Sequence, residues 1–113
     1  MPPQRRASAT AILFLLEAGQ RSHWHRVDAA EIWLWHAGHP LRLMTADGDD
    51  RPAQPTILGP DVIGGEVPQR VIPAHGWQAA EANRGWALVS CIVSPGFDFA
   101  GFTLAPAGWA PGG

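Results

Sequence analysis

From Ser8 onward, short apolar runs alternate with turn residues at nearly regular spacing, and within several runs apolar and polar positions follow each other with the period of a pleated strand. That pattern belongs to a sandwich or barrel of strands, each with one face buried, rather than to helices. The predicted strands are Ala9–Leu16, Ser22–Val27, Glu31–Ala37, Leu41–Thr45, Gln54–Leu58, Gln69–Ile72, Trp77–Glu81 and Trp86–Ser94, with a last extended piece from Phe97 to Leu104. The breaks carry turn chemistry at Ala18-Gly19, Ala37-Gly38, Gly59-Pro60-Asp61, Gly64-Gly65 and Asn83-Arg84-Gly85, and the tip Asp47-Gly48-Asp49-Asp50 fits a hairpin. Thirteen glycines and eleven prolines leave no long helical window, only a short helix around Asp61 to Ile63. Residues 1–8 read as a flexible arm, 9–109 as one all-β domain and 110–113 as a flexible end.

Two runs, Ala11 to Leu16 and Ala87 to Val93, are apolar at successive positions and so on both strand faces. Such a strand packs on the core with one face and on another layer or subunit with the other. Six tryptophans (Trp24, Trp33, Trp35, Trp77, Trp86 and Trp109) exceed what the centre of one small barrel holds, which places some at a pocket mouth or subunit contact. A homodimer is the expected assembly.

At 113 residues the chain has material for one core, and its composition, 46% hydrophobic and 16% charged, is that of a folding domain. Ten acids against eight arginines and no lysine give a net charge of −2, so the phosphate-neutralising field of a nucleic-acid binder is not expected. The apolar stretch Ala11–Leu16 is too short to span a bilayer and lacks signal-peptide form. A cytoplasmic protein without membrane or nucleic-acid partners is the expectation. The single cysteine, Cys91, sits in an apolar run and reads as a small buried hydrophobe rather than a nucleophile.

The candidate chemistry lies in Ser22-His23-Trp24-His25-Arg26-Val27 and in the strand that begins at Glu31. Strand alternation aims His23 and His25 the same way, and puts Glu31, Trp33 and Trp35 on one face. If the two strands pair across Asp28-Ala29-Ala30, Glu31 lies near His25. Two imidazoles and one carboxylate are the set that holds iron, manganese, nickel or zinc with positions left open.

Gly19, His23-Trp24-His25, Glu31 and Gly38 resemble the first motif of the cupin superfamily, with a shorter gap before the first histidine and a longer one before the glutamate. The second motif is matched by Pro73-Ala74-His75-Gly76-Trp77-Gln78, where Gln78 stands in the place of a metal-binding histidine. More narrowly, Trp24-His25-Arg26-Val27, Glu31-Ile32-Trp33, Ile72-Pro73-Ala74-His75-Gly76-Trp77-Gln78 and Pro95-Gly96-Phe97-Asp98-Phe99 are similar, in order, to motifs of an uncharacterised cupin-like family that includes a yeast nuclear and cytoplasmic protein. The likeness runs from about Thr10 to Trp109. A His-Pro-Glu-Gly-Gly turn that usually precedes the domain is lacking, and Leu34 stands where a histidine is frequent. The resemblance implies a double-stranded β-helix, a jelly-roll homodimer with a pocket for a small polar or sugar-like ligand; it implies no particular reaction.

Two functional readings follow. In the first, His23, His25 and Glu31 hold a divalent metal with Gln78 or His75 completing the shell, Glu31 and His25 are the catalytic groups, and Trp33, Trp35, Trp77 and Gln78 line the ligand. Fold analogy then suggests an isomerase, lyase or dioxygenase. In the second, the domain is a metal-free dimeric module that binds a small molecule or a protein without chemistry, its histidines being ordinary hydrogen-bonding groups. His75 reads as an exposed turn residue, and His36 and His39 as solvated residues without a role.

Overall fold

A computed structural model describes residues 6–112. Nine strands form: β1 Thr10–Leu16, β2 Arg21–Val27, β3 Ala30–Gly38, β4 Leu41–Ala46, β5 Gln54–Leu58, β6 Gln69–Ile72, β7 Trp77–Glu81, β8 Ala87–Ser94 and β9 Phe102–Leu104. They build two facing antiparallel sheets, one ordered β1-β8-β3-β6 and the other β5-β4-β7-β2-β9. This is the predicted jelly roll, with strand ends within a residue or so of the expected ones through Ser94.

The alternation that predicted the strands also assigns their faces. On β8, Ala87, Val89, Cys91 and Val93 are buried while Leu88, Ser90 and Ile92 are less so, and on β4 Leu41, Leu43 and Thr45 point inward. These side chains meet Leu16, Trp33, Leu58 and Ile72 between the layers to form the main core. A second, smaller cluster lies on the outer face of the five-stranded sheet, where Ala46, Trp77 and Ala105 pack with Trp24 and Trp109. Trp77 and Trp109 rings lie 4.5 Å apart, and the Arg26 guanidinium sits 4.6 Å above Trp77.

Four expectations change. Strands β2 and β3 do not pair: they belong to opposite sheets, and Asp28-Ala29 is the corner at which the chain passes between layers. The extended piece from Phe97 to Leu104 is instead a bend, a single 3-10 turn at Phe99–Gly101 that Asp98 caps through a bond from the Ala100 amide, and the three residues of β9. Asp61 to Ile63 forms turns closed by Glu66 and Asp61 rather than a helix, because Gly64 and Gly65 follow at once. Both chain ends dock as far as they are described. Arg6 donates to both Asp28 oxygens at 3.0 and 3.1 Å and to the Gly96 carbonyl at 2.9 Å, Pro111 is buried, and the Gly112 amide bonds Asp49 at 2.8 Å. Residues 1–5 of the predicted arm and the terminal Gly113 lie outside the described residues.

Two glycines with left-handed backbone separate conformation from packing. Gly19 (φ +85) and Gly38 (φ +90) both adopt angles unfavourable for other residues, yet a Cβ on Gly19 would meet nothing within 4 Å, while one on Gly38 would run into the Trp86 carbonyl oxygen. Gly19→Ala is expected to cost about 1 kcal/mol in chemical denaturation and Gly38→Ala clearly more, since the backbone of Trp86 has to move. Equal losses would show that packing at Gly38 is relaxed.

Candidate functional site

The layers part at the side where β1 and β9, the edges of the two sheets, face each other, leaving a cavity of about 480 Å³. Its walls are mostly carbon: Ile12 and Phe14 from β1, Val93 from β8, and Phe97, Phe99 and Phe102 from the segment before and within β9. Those three phenyl rings form one edge-to-face cluster with centroids 4.9 to 6.3 Å apart. The polar groups are few. Ser22, His25, Glu31 and Cys91 reach the cavity, together with Thr10 near its rim.

Glu31 is buried at 6% exposure on β3, and His25 approaches it from β2 in the opposite sheet. The pair expected side by side within one sheet is therefore assembled across the sandwich. Gln78, fully buried on β7 and paired opposite His25, donates from Nε2 to Glu31 Oε1 at 2.9 Å and accepts at Oε1 from the indole of Trp33 at 2.6 Å. Since an indole nitrogen can only donate, this fixes which way the amide points. His25 Nδ1 lies 2.8 Å from the His23 carbonyl, which can only accept, so Nδ1 carries hydrogen and Nε2 holds the lone pair of the neutral ring.

His23 does not join them. Strand β2 pairs Ser22 with Ala80 and His25 with Gln78, three steps on one strand against two on the other, so a bulge falls at His23-Trp24. The inserted residue breaks the alternation: Ser22, His25 and Val27 line the cavity, while His23 turns outward and bonds the Pro106 carbonyl at 2.9 Å. Trp77 also lies outside, its indole donating to Asp49 at 2.7 Å, and Trp35 donates to the His39 carbonyl at 3.0 Å. Of the expected tryptophan wall only Trp33 reaches the cavity. His75 is exposed, in a turn with φ +69, and its amide donates to the Val27 carbonyl. Phe97, Phe99 and Phe102, three phenyl groups within six residues, fit a strand by sequence, whereas the structure gathers them into a wall of the cavity.

The donor set does not fit a divalent metal. Among the described residues no group of three or more His, Cys, Asp or Glu side chains is arranged to hold a metal ion, although His25, Glu31 and Cys91 share the cavity, and Gln78 turns its only ligating atom to Trp33. Gln78 is instead a positioning residue for Glu31.

The comparisons agree with this fold. A family model described as Cupin superfamily (DUF985) matches residues 1–105. The chain belongs to the cupin superfamily. It is 35% identical to a hypothetical protein from Leishmania major (TM-score 0.78; 90% of this chain and 67% of that one covered) and 35% identical to a protein from Shewanella oneidensis (TM-score 0.81; 93% and 66%). The chain thus spans about two thirds of the length of these relatives. A dTDP sugar isomerase from Desulfovibrio desulfuricans G20, 17% identical, shares the fold (TM-score 0.76; 95% and 70%). No curated protein matches the chain. Among the described residues of this cupin, no helix is long and apolar enough to cross a membrane.

Burial pushes the Glu31 carboxyl above the ordinary glutamate value of 4.5, against the smaller opposing pulls of His25, Gln78 and Cys91. Burial, reinforced by Glu31, raises the Cys91 thiol strongly, so Cys91 stays protonated and is no nucleophile. The folded-state pKa of Glu31 exceeds the unfolded one. Its contribution to stability is therefore complete below about pH 4.5 and is lost as pH rises through the folded-state value. Glu31→Gln, neutral throughout, removes that loss: its Tm relative to wild type should climb as pH rises from about 4.5 and level off once the folded-state value is passed. A pH-independent difference would show that Glu31 ionises as freely in the fold as in water.

Proposed function

We propose that this cupin binds a small, mainly apolar molecule through one polar group, a carbonyl or hydroxyl, and that His25 and Glu31 exchange protons with it as an isomerase or lyase would. The observation that carries this reading is a single buried, acid-favouring carboxyl facing an imidazole with a free Nε2, inside a container walled mostly by phenyl and aliphatic groups. A base and an acid whose environments differ are what general acid–base chemistry uses. A sugar would leave most of its hydroxyls facing carbon, which costs binding free energy for each one. The ligand class favoured here is therefore less polar than the resemblance implied, and of the reaction types suggested by fold analogy those that need no metal are retained.

A second copy of the chain is the proposed partner. Strand β1 is an edge strand of seven residues without a charge, and Ile12, Leu13 and Leu15 are all more than half exposed. Uncharged apolar edges are those that pair with another chain. Cytoplasmic action goes with this reading, supported by the use of the only cysteine as a buried thiol beside Glu31 rather than in a disulfide.

The ketone β-tetralone tests the cavity, since its bicyclic frame is apolar, its carbonyl can accept from Glu31 and its acidic α-hydrogen can pass to His25. Wild type should bind it saturably and speed hydrogen–deuterium exchange at the α-carbon in proton NMR; His25→Phe should lower that rate about a hundredfold. Val93→Trp, which fills the cavity, should abolish binding. Exchange no faster than in buffer defeats the proton-transfer reading, and unchanged binding by Val93→Trp defeats the cavity itself.

In sedimentation equilibrium the wild type is expected as a dimer, and Leu13→Glu, which places a charge on the outer face of β1, as a monomer. A dimeric Leu13→Glu variant would move the contact to another surface.

A further inference from the structure

The outer face of the five-stranded sheet carries a second concavity, about 400 Å³ in volume and separated by that sheet from the cavity described above. Its charged end is built from Arg21 on β2, Arg42 on β4 and Glu81 on β7, which sit side by side because Arg21 and Arg42 both pair opposite Glu81. One carboxylate serves both guanidiniums, and loosely: Arg21 Nε lies 3.5 Å from one oxygen of Glu81 and Arg42 Nη1 3.9 Å from the other. Neither contact is a bidentate fork, so most of the N–H donors of the two guanidiniums remain free for another anion. The formal balance here is two positive charges against one negative, on a chain whose net charge is −2.

The other end is aromatic. Trp24 points outward from β2, and Trp109 is delivered by the C-terminal segment, with Met44 between the strands below. Both rings are held in place. Trp109 rests on Trp77, the Ala105 amide bonds the Trp24 carbonyl at 3.0 Å, and His23 ties Pro106 to β2. The groove is thus pre-formed, with flat carbon surface at one end and unsatisfied guanidinium donors at the other. The geometry points to a second binding site, for a planar aromatic molecule bearing a carboxylate or phosphate, its ring against Trp24 and Trp109 and its anionic group replacing part of the hold of Glu81 on Arg21 and Arg42.

Titration calorimetry with naphthoate tests it, with uncharged naphthol as the control. Wild type should bind naphthoate saturably in the millimolar range or below and more weakly as salt rises, and Val93→Trp, whose filled inter-sheet cavity cannot take up naphthol, should bind naphthol more weakly than naphthoate throughout. The surface double variant Arg21→Gln/Arg42→Gln should weaken naphthoate about tenfold or more, the loss of a charge-assisted contact. Glu81→Gln should strengthen it severalfold, because the competing carboxylate is gone; this opposite sign guards against a variant that merely unfolds. Val93→Trp, which fills the inter-sheet cavity, should bind naphthoate like wild type, so that failure here and failure of the cavity reading are told apart. No saturable binding, equal affinity of Val93→Trp for naphthol and naphthoate, a double variant that binds like wild type, weaker binding by Glu81→Gln, or loss of naphthoate binding in Val93→Trp would each overturn the assignment.

Discussion

The amide of Gln78 is the interaction on which the site depends. It reaches from one sheet to the other and satisfies two polar groups of β3 at once, the Trp33 indole and the Glu31 carboxyl. The Trp33 indole would otherwise lack a partner, at a cost of about 1–3 kcal/mol, and Glu31 would lose the donor that orients its carboxyl. No buried side-chain nitrogen or oxygen is left without a hydrogen bond among the described residues. The clamp also removes a freedom. With its oxygen committed to Trp33, Gln78 can offer Glu31 only hydrogen, so the position that reads as a metal ligand in the sequence acts here to orient a carboxyl.

A one-residue bulge in β2 does comparable work on a larger scale. Had the strand kept its alternation, both imidazoles would face Glu31 and Trp24 would stand alone outside. The inserted residue keeps His25 inside, sends His23 to the outer face beside Trp24, and so divides one sequence motif between the inter-sheet cavity and the outer groove. His23 then secures the C-terminal segment by bonding Pro106, which explains why residues expected to be a loose end, Ala110 to Gly112, lie docked against the sheet.

Much of this architecture is legible in the residues themselves. Strand limits follow from alternation and turn chemistry: Gln54–Leu58, Gln69–Ile72 and Trp77–Glu81 coincide with the prediction because proline, glycine and charged residues bound them sharply. Layer membership is not legible in the same way. The period of a strand says which side chains share a face, not which sheet the strand joins, so β2 and β3, separated by a two-residue corner, read as neighbours when they are opposed. A bulge shifts the period by one residue and leaves no mark in composition, which is why His23 was placed inside. Phe97 and Phe99 alternate as in a strand, but the chain turns through Phe99–Gly101, capped by Asp98, and the rings of Phe97, Phe99 and Phe102 gather at the cavity instead of lying along a sheet. The carbon-rich character of that cavity depended on this rearrangement and was hidden for the same reason.

The chemistry suited to such a cavity is set by charge. With few polar groups in the walls, a lone ionised side chain is penalised, and Glu31 answers by favouring its neutral form. A carboxyl whose protonated form is favoured, beside an imidazole whose Nε2 is free, forms a pair that can release a proton at one member and accept one at the other. The intermediate state is an ion pair across the sheets, cheaper in a poorly solvated space than either charge alone. Gln78 remains bonded to Glu31 through both states, since its N–H accepts no proton and loses none. Proton relocation within a bound apolar molecule is thus compatible with the surroundings, whereas a reaction that deposits an isolated charge in the cavity is opposed by them.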